Sequence, residues 1–190
     1  NILGDRNPNF TAGFLNSFSY KNWKLSFLWD LKVGGDIFNA TDMYLTLQGK
    51  SIRSSDRLTP RVVKGVLRDG LENSATPTQN TIVLTPYYAQ TYYTTMPESE
   101  FIEKDVNWFR LRDLTLSYTF PERILNNAKW IKNLSVFFTG NDLILMTNYS
   151  GGDPAVNGNT TATRGVGGFG FDYGNTGAPV SLNFGIKASF

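Results

Sequence analysis

The sequence predicts an all-β chain of long antiparallel strands, and three observations predict it. Five runs, near 10–20, 23–33, 108–120, 134–145 and 179–190, alternate apolar with polar residues, as a strand does when successive side chains turn to opposite faces. Aromatic residues make up 14% of the chain and Gly is frequent, a mixture that favours β structure. No stretch has the roughly 18 consecutive apolar residues of a spanning helix, whereas several runs have about the ten with which a tilted strand crosses a bilayer.

The first run carries Phe10, Ala12, Phe14, Phe18 and Tyr20 on one parity, interrupted by Asn16. After Lys21-Asn22, residues Trp23, Leu25, Phe27, Trp29, Leu31 and Val33 share a parity, opposed by Lys24, Ser26, Asp30 and Lys32, with Leu28 the exception. Two such runs joined by two residues predict a β-hairpin. Residues 34–106 show no sustained period, apart from a candidate short helix at 42–48. From Trp108 the alternation resumes. Phe109 and Leu111 occupy one parity and Leu114, Leu116, Tyr118 and Phe120 the other, a switch near Arg112-Asp113 that either a β-bulge or a strand whose upper end leaves the membrane would produce. A turn of helix is expected after Pro121. Leu134, Val136, Phe138 and Gly140 alternate with Ser135, Thr139 and Asn141, while Phe137 stands on the polar parity. A Gly- and Asn-rich connection, 146–177, precedes the final run, in which Val180, Leu182, Phe184, Ile186, Ala188 and Phe190 share one parity.

The expected architecture is an antiparallel transmembrane β-barrel portion of about five strands. Mean hydropathy is −0.25, which a barrel tolerates because half of each strand faces water or the lumen. Connections alternate short (21–22), long (34–106), medium (121–133) and long (146–177). Outer-membrane barrels carry long extracellular loops and short periplasmic turns. With 34–106 and 146–177 extracellular, the final strand ends in the periplasm. Five strands cannot close a single-chain barrel, for which about eight is the minimum, so further strands must pair with these.

Function classes narrow by composition. The 190-residue chain has no Cys and no His, and its net charge is +2. Thiol chemistry is excluded, the commonest general base and metal ligand is missing, and no basic patch argues for nucleic acid. An enzyme is not expected. Asp153 and Asp172 carry the hard oxygens that calcium takes, but not the dense acidic spacing of a calcium loop. Neither a metal nor a cofactor is therefore expected.

Several segments, in order, resemble the C-terminal end of the SusC/RagA family of TonB-dependent outer-membrane transporters. Gly4-Asp5-Arg6-Asn7-Pro8-Asn9-Phe10 is similar to the family's lead-in to a strand, and Phe18-Ser-Tyr20 with Leu25-Ser-Phe27 to the hairpin after it. Gly34-Gly35-Asp36-Ile37-Phe38-Asn39 resembles its Gly-Gly-x-Ile-Tyr-Asn segment. Phe109 to Pro121 resembles a late strand, Leu134 to Leu143 with Thr147 to Pro154 the penultimate strand and loop, and Phe184 to Phe190 the terminal strand. Departures are Asn141-Asp142-Leu143, where Gln-Asn-Leu is common, and Arg6, where a small or acidic residue is usual. The family's plug domain, TonB-box region and early strands have no counterpart in these residues.

The resemblance implies a share in a barrel of about 22 strands and in TonB-energised import of glycans or peptides. It implies as partners the remainder of the barrel and its plug, a SusD-like surface lipoprotein, the TonB complex through the plug, the barrel-assembly machinery and outer-membrane lipid. Tyr87, Tyr88, Tyr92 and Tyr93 are candidate substrate or partner contacts, since tyrosines stack on sugar rings and pack at interfaces; an extracellular loop core or a girdle around an extended strand is the competing role. Phe184, Ile186 and Phe190 are the candidate assembly signal. Two alternatives remain, a soluble carbohydrate-binding β-sandwich and a structural outer-membrane barrel without energised transport. The first requires folding without detergent, the second a homo-oligomer with no plug-bearing partner.

Overall fold

The computed structural model describes residues 3–125, 130–155, 157–158 and 168–190. In chain order its elements are β1 (Phe10–Tyr20), β2 (Trp23–Val33), β3 (Ile37–Asn39), α1 (Ala40–Leu47), β4 (Arg61–Val62), β5 (Val83–Leu84) and α2 (Pro86–Thr94). They continue with β6 (Ile102–Glu103), β7 (Trp108–Thr119), α3 (Glu122–Leu125), β8 (Asn133–Thr147), β9 (Asn157–Gly158), β10 (Gly168–Phe169), β11 (Phe171–Asp172) and β12 (Ser181–Ser189). Two units divide the chain, Asn1–Phe38 with Ile102–Phe190, and Asn39–Phe101.

The first unit is built on one antiparallel sheet in the order β1-β2-β7-β8-β12, open at both edges. Lys21 takes φ +52, the left-handed conformation that a two-residue hairpin needs at its first position, and Tyr20 pairs directly with Trp23. Register then lines up the apolar parities of all five strands. Phe14 lies opposite Trp29 and Trp29 opposite Leu111. Phe27 lies opposite Leu114, Leu116 opposite Phe138, and Phe138 opposite Phe184.

The parity switch in β7 is resolved by a bulge. Leu28 pairs with Asp113 but Trp29 with Leu111, which leaves Arg112 as the extra residue. On the other side the register of β7 against β8 also shifts between Leu111 and Asp113, and Asp142 absorbs the strain at φ +51. Phe109 and Leu111 thereby return to the face held by Leu114, Leu116 and Tyr118. Without the extra residue that end of β7 would turn over, because a one-residue slip exchanges the faces of a strand.

One face of the sheet is therefore apolar apart from Asn16, and the other carries Ser, Thr, Lys, Arg and Asp together with Leu15, Leu28 and Phe137. The apolar side chains are exposed, with Phe184 at 70% and Trp23 at 49%. Aromatics gather at the short-connection end. Trp23 packs on Tyr118 at 4.7 Å between ring centroids, Tyr118 on Phe120 at 5.1 Å, and Trp130 stacks on Phe190 at 5.2 Å. Phe137, the aromatic out of parity, lies opposite Gly185, and its ring fills the space that a Cβ on Gly185 would need. The exception in the pattern is thus a ring covering a strand glycine.

The second unit, residues 39–101, is more structured than its lack of period suggests. Asn39 caps α1 by accepting from the Asp42 amide at 2.9 Å, and the Asp42 carboxylate accepts from Ser51 at 2.5 Å and Arg53 at 2.6 Å. The Tyr-rich segment forms α2, with Pro86 in its first turn, where the missing amide costs nothing. Strands β4 and β5 pair through Arg61↔Leu84 and Val62↔Val83. Ala40, Thr46, Ser54, Ala89, Tyr93 and Phe101 are among its buried residues.

Gly185→Ala is expected to destabilise the barrel by about 1–3 kcal/mol through overpacking against Phe137. Phe137→Ala in the same chain should recover most of that loss, with denaturant titration in detergent as the measurement.

Candidate functional site

The loop end of the first unit is held by a knot of polar contacts, and the motifs singled out in the sequence make it. Asp36 is its centre. Its carboxylate accepts from the Asp5 amide at 2.8 Å, the Asp105 amide at 3.2 Å and the Lys104 ammonium at 2.8 Å. Burial pushes the Asp36 carboxyl up, but Lys104 and the two amides outweigh it and hold the group below the usual carboxylate range. Gly35 lies over the Arg6 carbonyl at φ +90, a conformation and approach that only glycine tolerates. Asn107 accepts from the Gly34 amide at 2.8 Å, and Asn148 accepts from the Asn107 amide at 2.7 Å. Ile37, Val106 and Tyr149 form the apolar centre beneath, and the Tyr149 hydroxyl donates to Asp172 at 2.6 Å.

Below the knot, the polar face carries a chain of charges placed by the bulge. Arg112 donates to Asp30 at 2.8 Å and lies 3.7 Å from Asp142. Arg110 donates to Asp142 at 3.2 Å and to Asp153 in a shorter contact. Arg110 is 2% exposed and its guanidinium lies 5.7 Å from the Trp108 ring centroid. Asp153 also accepts from the amides of Ala155 at 2.9 Å and Ala178 at 3.1 Å. Burial raises the Asp153 carboxyl, but these amides and Arg110 bring it below its ordinary value. The pair fastens the 148–180 connection to the sheet. Arg110, Arg112, Asp153, Asn175 and Thr176 border an open cleft of about 520 Å³.

Asp153 and Asp172, weighed in the sequence for their hard oxygens, are thus occupied by Arg110, by Tyr149 and by backbone amides. Sequence reasoning missed Arg110 and Asp153 as partners. Their only sequence signal is an Arg on the polar parity of a strand, and nothing local gives its partner 43 residues on.

The tyrosines fall on α2. Tyr93 is buried, and its hydroxyl donates to Asp56 at 2.6 Å and accepts from Arg61. Tyr92 is half-buried, edge-on to Tyr93 at 5.1 Å, with the Arg61 guanidinium 5.6 Å from its ring centroid. The side chains of Tyr87 and Tyr88 lie outside the described residues. Phe184 and Ile186 stand on the apolar face of β12, opposite Phe138 and Val136, and Phe190 stacks on Trp130 with Lys132 donating to its carbonyl at 3.0 Å.

Because Asp36 and Asp153 titrate below their ordinary values, the anchoring they supply is fully present above about pH 4 and is lost as pH falls through the depressed pKa values. Asp153→Ala should cost about 1–3 kcal/mol, because the buried Arg110 guanidinium then keeps only its longer contact to Asp142. Hydrogen exchange of the 168–180 segment, corrected for intrinsic pH dependence, should show protection at pH 5 that Asp153→Ala lacks.

No family model matches the chain. TonB-dependent receptor P3 of Formosa agariphila is 28% identical over 191 residues, covering 100% of this chain and 17% of that protein. TonB-dependent receptor P26 of the same organism is 25% identical over 195 residues, covering 100% and 18%. The chain therefore spans less than a fifth of the length of these curated relatives. Among solved structures, the RagAB peptide importer in its open-open state aligns with a TM-score of 0.48 at 19% identity, over 76% of this chain and 14% of that one. Its closed-closed state gives 0.48 at 20%. The resemblance carried by the motifs is borne out to this extent: along its whole length this chain is similar to TonB-dependent receptors.

Proposed function

We propose that this chain is a wall segment, with its extracellular loops, of a TonB-dependent outer-membrane importer of glycans or peptides. The observation that carries the reading is the apolar face that runs across five paired strands, interrupted only by Asn16 in β1 among the large side chains. An 11-residue strand such as β1 extends about 36 Å and, tilted by roughly 45°, rises about 26 Å, the height of the apolar band of an outer-membrane barrel. Each large side chain left in water forgoes about 1.5–3 kcal/mol. About ten of them would exceed the roughly 5–15 kcal/mol of net stability that a domain possesses. Lipid removes that penalty on one face, while the lumen solvates the other.

The edges point the same way. The outer sides of β1 and β12 lack strand partners among the described residues, and unpaired backbone groups in lipid cost several kcal/mol each. Both edges seal against further strands of the same barrel, around the plug that TonB moves. The long connections lie outside, beneath a SusD-like lipoprotein, and the end of β12 lies in the periplasm. Tyr87, Tyr88, Tyr92 and Tyr93 belong to the loop region that meets cargo or cap, with Tyr93 acting through its support of Tyr92. Phe184, Ile186 and Phe190 form the signal read by the barrel-assembly machinery.

Absence of cysteine from the chain makes topology measurable. Single substitutions Ile82→Cys and Asn22→Cys, treated with a membrane-impermeant maleimide, should label on intact cells at 82 and only after outer-membrane permeabilisation at 22. Equal labelling of both on intact cells overturns the reading. Phe190→Ala should lower the assembled, heat-modifiable fraction several-fold, and unchanged assembly would reject the signal role.

A further inference from the structure

We infer that the second unit contains a carboxylate-binding subsite between α1, the 51–58 segment and α2. A cavity of about 300 Å³ opens there, bordered by Thr46, Gln48, Arg57, Leu58, Gln90 and Tyr93. That volume is at the low end for ligand pockets, suited to one small group rather than to an extended chain.

Two independent features select the chemistry of that group. Arg57 has no ion pair among the described residues, whereas Arg53 and Arg61 in the same unit are both paired. It is steadied by one donation, from Nη1 to the Ser54 carbonyl at 3.0 Å, which leaves other guanidinium donors for a ligand. A guanidinium matches the two oxygens of a carboxylate in a fork geometry. Thr46 is 0% exposed, and its Oγ1 has no hydrogen-bond partner among the described residues. A buried hydroxyl without a partner costs about 1–3 kcal/mol, a cost that a ligand acceptor or its water would relieve. α2 turns to the cavity the flank that carries Pro86, Ala89, Gln90 and Tyr93.

The remaining walls set the rest of the ligand. Leu58, Pro86 and the Tyr93 ring are apolar, and Tyr93 is held in place by Asp56 and Arg61. Gln48 and Gln90 supply amide donors and acceptors. Acidic residues of a peptide and uronic acids of a glycan share the carboxylate on a partly apolar frame that this arrangement fits.

The test is calorimetric titration of the full-length receptor in detergent with paired probes. One arm compares an N-acetylated glutamyl tripeptide with its glutaminyl analogue. The other compares trigalacturonate with its methyl ester. In one arm the acid should bind about tenfold tighter than its neutral twin, Arg57→Gln should abolish that preference, and Arg57→Lys should keep part of it. Equal binding of acid and neutral forms in both arms, or an acid preference that survives in Arg57→Gln, overturns the assignment. Cell fractionation of the same variants keeps the two readings apart, since a soluble protein that retains the acid preference rejects the membrane wall and not the subsite.

Discussion

Strand register is the constraint on which the rest of this structure depends. Each side chain of the five-stranded sheet is assigned to a face by which residue it pairs with, and a slip of one position would exchange apolar for polar along a whole strand. The extra residue Arg112 in β7, matched by the shift at Asp142 in β8, keeps that assignment constant from Phe109 to Tyr118. The same irregularity gathers Asp30, Arg112, Asp142 and Arg110 on the polar face. One local distortion therefore serves both faces.

The charges so placed serve attachment. Asp153 reaches back to Arg110, and Asp36 clamps the amides of Asp5 and Asp105, so both long connections are fastened where they leave the sheet. Two antiparallel strands set only the first and last residues of a loop. The residues between those ends would be free without contacts of this kind, and a loop that meets cargo or a partner must be presented from a fixed base. Gly34 and Gly35 belong to the same device, since the chain must reverse tightly beside Arg6 and Asn9 for Asp36 to arrive.

The two units obey different stabilising rules. In the sheet unit the large apolar side chains are turned outward and the internal fastening is polar, the inverse of a soluble core. Residues 39–101 follow the ordinary pattern, with Phe101, Ala89 and Ala40 inside and charged pairs such as Asp42 with Arg53 outside. Unit boundaries fall at Phe38 and Ile102, within the aperiodic stretch between β2 and β7.

The sequence by itself determined the five long strands, their approximate ends and which parity was apolar, because a period of two is written residue by residue and needs no partner; the short strands β3 to β6 and β9 to β11 fall in stretches without that period. It also marked the parity switch between Leu111 and Leu114, and the strand pairing decided for a bulge over a strand end that leaves the membrane. Tertiary structure alone decided that Phe137 covers Gly185, that Arg110 pairs with Asp153, and that Asp36 joins three motifs dispersed along the chain. Each of these is a contact between distant residues, and periodicity carries no information about partners. The tyrosine segment shows the limit from the other side. Composition marked it as binding surface, loop core or a girdle on an extended strand, and its lack of period gave no sign of the helix α2. Only the packing of α2 turned Tyr93 inward onto Asp56 and Arg61 and left Arg57 without a carboxylate of its own among the described residues.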